Sequence, residues 1–341
     1  MSADPALTPD QHRRFAQTVA CRDTDVLPKV PNAGGLIERD DVRLQVMHNG
    51  LVVEEGCYYG PMMTAIITEL RGHHEPQEEI VFDTMVRRLA EAPGIEPVIV
   101  EFGSFWAYYT MWFCQQLPNA RGVCLEPDPA YLQVGRRNAE LNGLAERISF
   151  LAGAVGDAPG AGVEFTAEST GETVTVPQFD LQSLCAECDV TRVALAMVDI
   201  QGFESVLLPR AAELLRSGFV RFLIVSTHHQ LISGDFLTHQ KARNLLVGLG
   251  AHVIAEHAIG ESCSGDGLLA VSFDPVDADL HVDVSRVRSV DTIWGEPEYR
   301  LAELHGQVAE RDAVIAHYQR HVDRVEAELA AAQAELAADR H

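Results

Sequence analysis

The sequence is poor in positive charge. Its 341 residues include 26 Lys and Arg against 50 Asp and Glu, for a formal net charge of −24, and Lys29 and Lys241 are the only lysines. Nucleic acids and anionic membranes attract proteins that present a cationic surface, so this balance argues against both as partners. Hydrophobic residues make up 47% of the chain and charged residues 22%, which is ordinary for a soluble globular protein and excludes disorder throughout.

Long hydrophobic runs are also missing. The longest apolar stretch, from Pro97 to Phe113, contains Glu101 and is shorter than the ~20 residues that a membrane span needs. The first residues lack the basic and apolar regions of a secretory signal, so we expect a cytoplasmic protein. The 7 cysteines include one C-x-x-C pair, Cys185 and Cys188, which we interpret as helix residues with reduced thiols.

The order of apolar runs predicts an α/β fold. Strands alternate with helices from residue 97 onward, which is typical of a doubly wound, mostly parallel sheet, here of seven strands with one antiparallel edge. The predicted strands cover 97–101, 121–126, 148–151, 193–199, 220–225, 252–255 and 267–273. A hairpin with strands at 163–166 and 173–176 is predicted before the fourth of these strands, and a helix at 204–217 is predicted after it. Ligands of such sheets bind beyond the carboxyl ends of the strands. We expect this domain to cover residues 76–273.

The flanking segments are predicted to be additions to this domain. Residues 1–75 form an N-terminal extension with a hairpin at 42–53, because Asn49-Gly50 is a strong turn signal, and a helix at 61–70. Residues 274–296 are an acidic linker, and 297–341 have apolar residues on alternating three- and four-residue steps, broken at Arg311. This heptad pattern predicts a coiled coil and a homodimer or coiled-coil partner. A single helix packed back on the catalytic body is the alternative.

Two strand ends carry the signature of a nucleotide-like cofactor site. The first predicted strand ends at Glu101 and is followed by Gly103, which permits a tight turn into a helix whose free N–H groups can face a ligand. Glu126 ends the next strand, where a carboxylate can accept two hydrogen bonds from a ribose diol. Because the loop lacks G-x-G-x-x-G, dinucleotide binding by an oxidoreductase is a weaker alternative.

Several motifs resemble those of one enzyme family. They are Glu126-Pro127-Asp128-Pro129 with the following 138–144, the loop Ala154-Val155-Gly156-Asp157, and the run 198–204 around Asp199, Gln201 and Glu204. Over residues 80–273 the chain is similar to the FkbM-type methyltransferases, a branch of the class I S-adenosylmethionine-dependent enzymes. This resemblance implies a Rossmann-like class I methyltransferase sheet. It also implies an O-methyltransferase that acts on a hydroxyl of a sugar, a glycan or a secondary metabolite.

The resemblance also implies which residues would hold S-adenosylmethionine. Glu101, Gly103 and Ser104 would hold the methionine end, and Glu126, with Pro127 beside it, the ribose. Asp128 and the backbone around Ala154 and Val155 would border the adenine, and Asp199 would also lie against the cofactor. The glycine loop departs from the family pattern, because Phe105 replaces an Asn and Ala107 the second Gly. We expect Phe105 or Trp106 either to stack on the ligand or to belong to the core.

The reacting end is expected at the fourth and fifth strand ends. Asp199 stands at the first of these positions, and His228 and His229 follow the second. We predict His228 as general base, with His229 or Asp199 as alternatives, since a base can add about 10²–10⁴-fold to the rate. A divalent cation such as magnesium, held by Asp199 and His228, is a further option, although magnesium favours oxygen ligands.

Acceptor contacts are expected from segments that cover this end. The predicted set is Tyr59, His74, Glu75, Glu78, Gln201 and Asp266. For the run 73–79, the alternative interpretations are a metal cluster and a plain acidic helix start, which the helix dipole favours. The alternative function is a non-catalytic scaffold that uses a methyltransferase fold to present the coiled coil.

Overall fold

The computed structural model describes residues 8–91, 96–287 and 297–338, and the chain divides into two units, Met1–Trp294 and Gly295–His341. The strands are β1 (Leu36–Arg39), β2 (Val42–Val46), β3 (Val52–Glu54), β4 (Val98–Phe102), β5 (Arg121–Glu126), β6 (Ile148–Ala152), β7 (Ala154–Val155), β8 (Gly162–Thr166), β9 (Thr173–Phe179), β10 (Val193–Val198), β11 (Val220–Thr227), β12 (His252–His257) and β13 (Gly267–Ser272). The helices are α1 (Pro9–Ala20), α2 (Pro61–Glu69), α3 (Pro76–Ala90), α4 (Tyr108–Gln116), α5 (Pro129–Leu141), α6 (Leu181–Glu187), α7 (Glu204–Arg210), α8 (Ala212–Arg216), α9 (Gln230–Ser233), α10 (Thr238–Gly248) and α11 (Pro297–Ala338).

The central sheet has seven strands in the order β12-β13-β11-β10-β4-β5-β6. Neighbours from β11 to β6 are parallel, and β13 runs antiparallel to both β11 and β12. The predicted fold class is thereby confirmed, including the antiparallel edge. The chain leaves β4 toward β6 and returns on the other side of β4 at β10, so the strand order reverses between β4 and β10, which is where doubly wound sheets bind ligands.

Both faces of this sheet are covered by helices, which explains the unbroken apolar runs of its strands. In β4 the side chains alternate, since Ile99 packs into the core formed with α3 and α4, whereas Val98 and Val100 pack into the core formed with α6, α7 and α10. Trp112 of α4 and Phe82 of α3 are among the largest fully buried side chains.

The N-terminal region contains more structure than the sequence predicts. The hairpin of β2 and β3 and the helix α2 are confirmed, but α1 and β1 were not expected. Thr8 and Gln11 form a capping box at the start of α1, with Pro9 in its first turn. The helix carries few apolar residues, and of these Phe15 packs against the buried cluster of α2. Val19, one turn after Phe15, packs against the same cluster, so α1 is stabilised by its docking on α2.

Two further regions refine the predicted elements. The single helix predicted for 204–217 is divided into α7 and α8, because Pro209 supplies no backbone N–H and the chain turns at Ala211. The predicted hairpin of β8 and β9 is present and joins β7 in a separate three-stranded sheet.

The second unit contains α11, a helix of 42 residues. Apolar side chains at its heptad positions are exposed, with Leu304 41% accessible, Val308 53%, Ile315 50% and Val322 51%. Within the described ranges, no helix combines the length and apolar character that a membrane crossing requires.

Gly103 joins β4 to β10 by a close backbone approach. It has φ +77°, and a Cβ atom there would lie 1.8 Å from the carbonyl oxygen of Asp199. Gly143 has a similar φ of +67° but nothing within 4 Å of the corresponding position. The two glycines thus share a left-handed backbone conformation, but only Gly103 lies against another backbone segment.

We predict that Gly103→Ala destabilises the protein far more than Gly143→Ala. The control should lose about 1–2 kcal/mol, the cost of a left-handed alanine, and Gly103→Ala at least about 2 kcal/mol more, because the strand ends must separate. Urea unfolding of both variants measures the difference. If both variants lose the same free energy of unfolding, the close approach of Gly103 to Asp199 does not limit the residue at position 103.

Candidate active site

A cavity of about 230 Å³ lies at the carboxyl ends of β4, β5 and β10. Its walls include fourteen of the residues singled out from the sequence: Tyr59, His74, Glu75, Glu78, Glu101, Gly103, Ser104, Glu126, Pro127, Asp128, Ala154, Val155, Asp199 and Gln201. His228, His229 and Asp266 are not among its lining residues. Side chains from distant parts of the chain therefore converge at the point where the strand order reverses.

The two strand-end acids are buried and tethered by amide and hydroxyl donors. Glu101 is 6% exposed, and its Oε2 accepts hydrogen bonds from the backbone N–H and the hydroxyl of Thr110 at the start of α4. Glu126 is 5% exposed and accepts from the N–H groups of Phe105 and Asp128, both at 2.9 Å. Burial raises the pKa of Glu101 to about 8 and that of Glu126 to about 7.

Smaller polar groups complete this side of the cavity. Asp128 caps α5, accepting from the N–H of Ala130 at 2.9 Å, and it also accepts from the Ser169 hydroxyl at 2.7 Å. The Ser104 hydroxyl is buried, and no nitrogen or oxygen of the described residues pairs with it. A buried hydroxyl without a partner at a cavity wall is a place where a ligand atom can bind.

Aromatic side chains form another part of the cavity wall. Phe105 stacks on Tyr131 with ring centroids 3.7 Å apart, and Tyr58 stacks on Trp106 at 4.5 Å. Tyr59 contacts Phe105 edge-on at 5.3 Å. Phe105 and Trp106 therefore belong to the cavity wall and to the core at once, as both are at most 8% exposed.

Three of the eight non-glycine residues with positive φ in the described part of the chain line this cavity. Tyr59, Phe105 and Gln201 have φ values of +46°, +40° and +54°, although each has a side chain that disfavours this region. Such conformations cost on the order of 1–3 kcal/mol each and cluster at functional sites. Their coincidence at one cavity supports its functional importance.

His228 lies behind the cavity within a group of carboxylates. Its Nδ1 is 2.9 Å from Glu204 Oε1, and its Nε2 is 3.0 Å from Asp199 Oδ1, without hydrogen-bond alignment, and 3.8 Å from Asp266 Oδ1. Burial lowers the pKa of His228, but Asp199 and Glu204, with the charge of Asp266, raise it to about 11. Two carboxylates within contact distance of the ring favour its charged form.

This environment disfavours two of the predicted roles of His228. A ring that is protonated at neutral pH cannot accept a proton as general base, and an imidazolium has no lone pair for a metal ion. Asp199, in contrast, lines the cavity with 42% of its side chain exposed, whereas the His228 side chain is 1% exposed. The group that faces the cavity is the carboxylate.

The two remaining predicted residues lie beside the cavity. His229 caps α9, where its Nδ1 accepts from the N–H of Leu231 at 3.3 Å. Asp266 lines a smaller adjoining cavity together with Glu75 and Glu78. Asp266 can thus influence the cavity through His228 and Glu75, while His229 is directed into the local helix cap.

The start of α3 serves both structure and site. Glu79 accepts from the backbone N–H of His74 at 2.7 Å and pairs with the His73 ring, and these histidines hold its pKa well below the usual value despite burial. Glu75 and Glu78 point to the cavity, and burial, followed by repulsion from neighbouring carboxylates, raises the pKa of each to about 8.

The structure also brings His48 to His73 and Glu79, with ligand-type atoms of all three within 4.8 Å. The rings of His48 and His73 are stacked, with centroids 4.0 Å apart and an interplanar angle of 20°. Their lone pairs therefore lie in nearly parallel planes and cannot converge on one ion, as tetrahedral or octahedral coordination requires. This group is a buried hydrogen-bonding and stacking cluster.

Several site residues were not anticipated. Glu204 binds His228, Tyr131 stacks in the aromatic wall, and Glu168 and Phe203 line the cavity. Glu204 stands five residues after Asp199 in the same motif, which is the one signal that could have identified it. The others come from elements whose approach depends on tertiary packing.

Comparison with known proteins gives a partial match. No family model matches the chain. It is 29% identical to the release factor glutamine methyltransferase of Chlorobaculum tepidum over 156 residues, covering 42% of this chain and 52% of that protein. The chain thus spans about half the length of the curated relative it matches.

Solved structures give weaker likenesses. The N-terminal domain of human METTL16 in complex with SAH is 13% identical and has a TM-score of 0.40, with 68% of this chain and 88% of that one covered. For precorrin-6y C5,15-methyltransferase of Geobacter metallireducens the identity is 13%, the TM-score 0.35, and the coverage 57% and 88%. The reaction and the acceptor therefore have to be argued from the site itself.

We predict that His228 is an imidazolium at pH 7.5. Its contacts with Asp199 and Glu204 favour the charged ring over the neutral one. Nitrogen NMR of the histidine-labelled protein, assigned with a His228→Gln variant, should show both ring nitrogens protonated. A ring that titrates between pH 6 and 8 would restore His228 as the base.

Proposed function

We propose that the protein is an S-adenosylmethionine-dependent methyltransferase. The observation that supports this most is the convergence of Glu101, Glu126 and Asp199, from the ends of three parallel strands, on one cavity where the strand order reverses. The matched segment of a release factor glutamine methyltransferase is consistent with this class of reaction. Neither observation identifies the acceptor.

The residues present fit this cofactor. S-adenosylmethionine has a ribose diol, an ammonium and a sulfonium, for which carboxylates are suitable partners. We assign Glu126 to the ribose and Glu101, Gly103 and Ser104 to the methionine end, where the Ser104 hydroxyl is buried without a partner. Asp128, with Pro127, Ala154 and Val155 beside it, would border the adenine, near the stacked pair of Phe105 and Tyr131.

Asp199 is our proposed proton acceptor. When bound, the cofactor would supply a sulfonium methyl group. The acceptor oxygen would bond to the methyl carbon in line as the carbon–sulfur bond breaks, and the neutral thioether S-adenosylhomocysteine would leave with the electron pair. The hydroxyl proton of the acceptor becomes strongly acidic as the new bond forms, so a well-placed carboxylate is a sufficient base. His228 acts as a positioning residue that holds Asp199 from behind, and Glu204 holds His228 in turn.

We further propose O-methylation of a sugar, glycan or secondary-metabolite hydroxyl, as expected for an FkbM-type enzyme. The acceptor would enter between Tyr59, His74, Glu75 and Gln201, which line the cavity. A methyl-donor assay against mono- and oligosaccharides and macrolide-like alcohols tests this class. We do not propose a metal ion at Asp199 and His228, because the two ring nitrogens of His228 already face the carboxylates of Asp199 and Glu204.

We predict that Glu126→Gln weakens S-adenosylmethionine binding by about 10- to 100-fold. Above pH 7, where Glu126 is mostly ionised, the substitution removes a charged acceptor of hydrogen bonds, which is worth about 1.5–3 kcal/mol. Calorimetric titration measures the dissociation constant. Glu140→Gln, at an exposed position of α5, is the matched control and should bind like the wild type.

Two results would contradict this assignment. Equal affinities of the Glu126→Gln and Glu140→Gln variants would remove Glu126 from the cofactor site. No binding by the wild-type protein at high micromolar cofactor would remove the enzyme proposal altogether. The scaffold function, presented through α11, would then be the better interpretation.

We propose that α11 mediates a parallel or antiparallel homodimer. Its exposed apolar heptad positions would be buried in a partner helix, where such side chains supply most of the association energy. A second copy of the chain would present the same row of exposed apolar residues. This row is the feature of α11 that favours assembly.

We predict that Ile315→Glu combined with Val322→Glu converts the full-length protein to a monomer. Light scattering coupled to size exclusion measures the mass. Ala313→Glu introduces a like charge on α11 outside the heptad positions and should leave the dimer intact. If the wild type is already monomeric at tens of micromolar, the homodimer proposal fails.

A further inference from the structure

Two cysteines from distant parts of the sequence meet at the end of α1. Cys21 caps the carboxyl end of this helix, and its backbone N–H donates to the carbonyl oxygen of Thr18 at 3.2 Å. The hydroxyl of Thr18 in turn donates to the carbonyl oxygen of Cys263 at 3.0 Å. Thr18 therefore joins the backbone of Cys21 to that of Cys263.

The two thiols are in hydrogen-bonding contact inside the protein. Cys21 is 5% exposed and Cys263 is 3% exposed, and neither is in a disulfide. The sulfur of Cys21 accepts from the Cys263 thiol, from the backbone N–H of Asp23 and from the hydroxyl of Ser285. These hydrogen bonds lower the pKa of Cys21 despite its burial, whereas the contact with Cys21, together with burial, raises the pKa of Cys263. Cys21 is therefore the sulfur that more readily becomes a thiolate.

Cys263 belongs to the segment that leads from β12 to β13. Its backbone N–H donates to Oε1 of Gln77, in the first turn of α3, at 2.7 Å. Three residues further along the chain, Oδ1 of Asp266 lies 3.8 Å from Nε2 of His228. A covalent bond between Cys21 and Cys263 would therefore fasten α1 to the segment that carries Asp266.

The docking of α1 depends on side chains that are only partly buried. Phe15 and Val19 pack against the cluster of α2, and both keep part of their surface in solvent. A terminal helix held in this way can open locally while the rest of the domain stays folded. Such opening would bring the buried thiols of Cys21 and Cys263 within reach of small reagents.

We propose that Cys21 and Cys263 are a redox-active pair, which a low-molecular-weight disulfide such as oxidised glutathione converts to a disulfide bond. Cys21 loses its proton to solvent, and its thiolate attacks one sulfur of the reagent, so that the first glutathione leaves as a thiolate with the electron pair. Cys263 then loses its proton and attacks the Cys21 sulfur of the mixed disulfide, which expels the second glutathione thiolate. Both leaving thiolates take up protons, so two protein thiols are oxidised and one glutathione disulfide is reduced.

This bond would make the docking of α1 depend on the ratio of thiols to disulfides around the protein. The reduced helix opens and closes, whereas the oxidised helix stays fastened beside the candidate site. Because Cys21 and Cys263 enclose most of the first unit, the bond also restricts the unfolded chain. We expect the oxidised protein to unfold at a temperature at least about 5 °C higher than the reduced protein. The inference does not depend on the proposed function.

The test maps the disulfide in the full-length protein. The protein is treated with oxidised glutathione, once in the folded state and once during refolding from urea, and the remaining thiols are then blocked. Peptide mass spectrometry without reduction should find the peptide of Cys21 joined to that of Cys263 in both samples. Refolding in the presence of glutathione removes burial as an obstacle to the reaction.

Two variants identify the attacking sulfur and control for the other cysteines. Cys263→Ala removes the second thiol and should leave one glutathione attached to Cys21. Cys188→Ala, at a half-buried cysteine of the C-x-x-C pair, is the matched control and should form the same bond as the wild type. If Cys263→Ala does not fold, the disulfide map of the wild type decides.

Thermal unfolding of the same samples tests the effect of the bond. The higher unfolding temperature should appear in the oxidised wild type and in oxidised Cys188→Ala, and dithiothreitol should abolish it. Absence of the bond between Cys21 and Cys263 after refolding with glutathione overturns the pair. A bond that forms only during refolding overturns the local opening of α1, and a bond without a rise in unfolding temperature overturns the fastening of this helix.

Discussion

The contact between Gly103 and the backbone of Asp199 is the constraint on which the site depends. The N–H of Asp199 donates to the carbonyl of Phe102 at 3.0 Å, and the N–H of Gly103 donates to that of Leu125 at 2.9 Å. These bonds extend the parallel ladder to the last residue of β4, β5 and β10. The approach is so close that a Cβ atom at residue 103 would lie 1.8 Å from the Asp199 carbonyl oxygen, and the acids beside the three strand ends line a single cavity.

Gathering these acids has an electrostatic cost. Burial raises the pKa of Glu75, Glu78 and Glu101 to about 8, from an ordinary value of 4.5. A carboxyl group whose pKa is raised in the folded state opposes folding increasingly as the pH rises between these two values. Donors tether Glu101 locally, but they do not supply positive charge. A cationic ligand would offset this cost, so the acidity of the cavity is best understood together with its proposed ligand.

Much of the fold could be predicted from sequence because the central strands are apolar on both faces and end at acids or turns. The apolar segments that form β4, β5, β10 and β11 can be predicted as strands without tertiary information. The same reasoning places Glu101 and Glu126 at strand ends. Helix α1 was missed for a physical reason. Its cap at Thr8 is a clear local signal, but its apolar face is sparse, and its docking on α2 is a long-range event.

The candidate site was less predictable, because charge states depend on residues far apart in sequence. His228 could be placed after β11, but its charge depends on Glu204 in α7 and on Asp266 before β13. Motif position alone favours a histidine as base, since its ordinary pKa lies near neutrality. The carboxylates around His228 raise its pKa to about 11, which is why we propose Asp199 as the proton acceptor in its place. Likewise, the sequence left open whether Phe105 contacts a ligand or belongs to the core. In the structure it is buried and stacks on Tyr131, and it also lines the cavity.

Asp199 is held at its backbone and at its carboxylate, which explains why we propose it as the base and His228 as the residue that positions it. Gly103 fixes its backbone against β4, and His228 lies 3.0 Å from its carboxylate while itself bound to Glu204. A neutral histidine would weaken both contacts. We propose that a charged ring orients the carboxylate toward the cavity, where the proposed proton transfer needs a fixed acceptor more than a strong base. The predicted imidazolium would then contribute to the reaction through the position of Asp199.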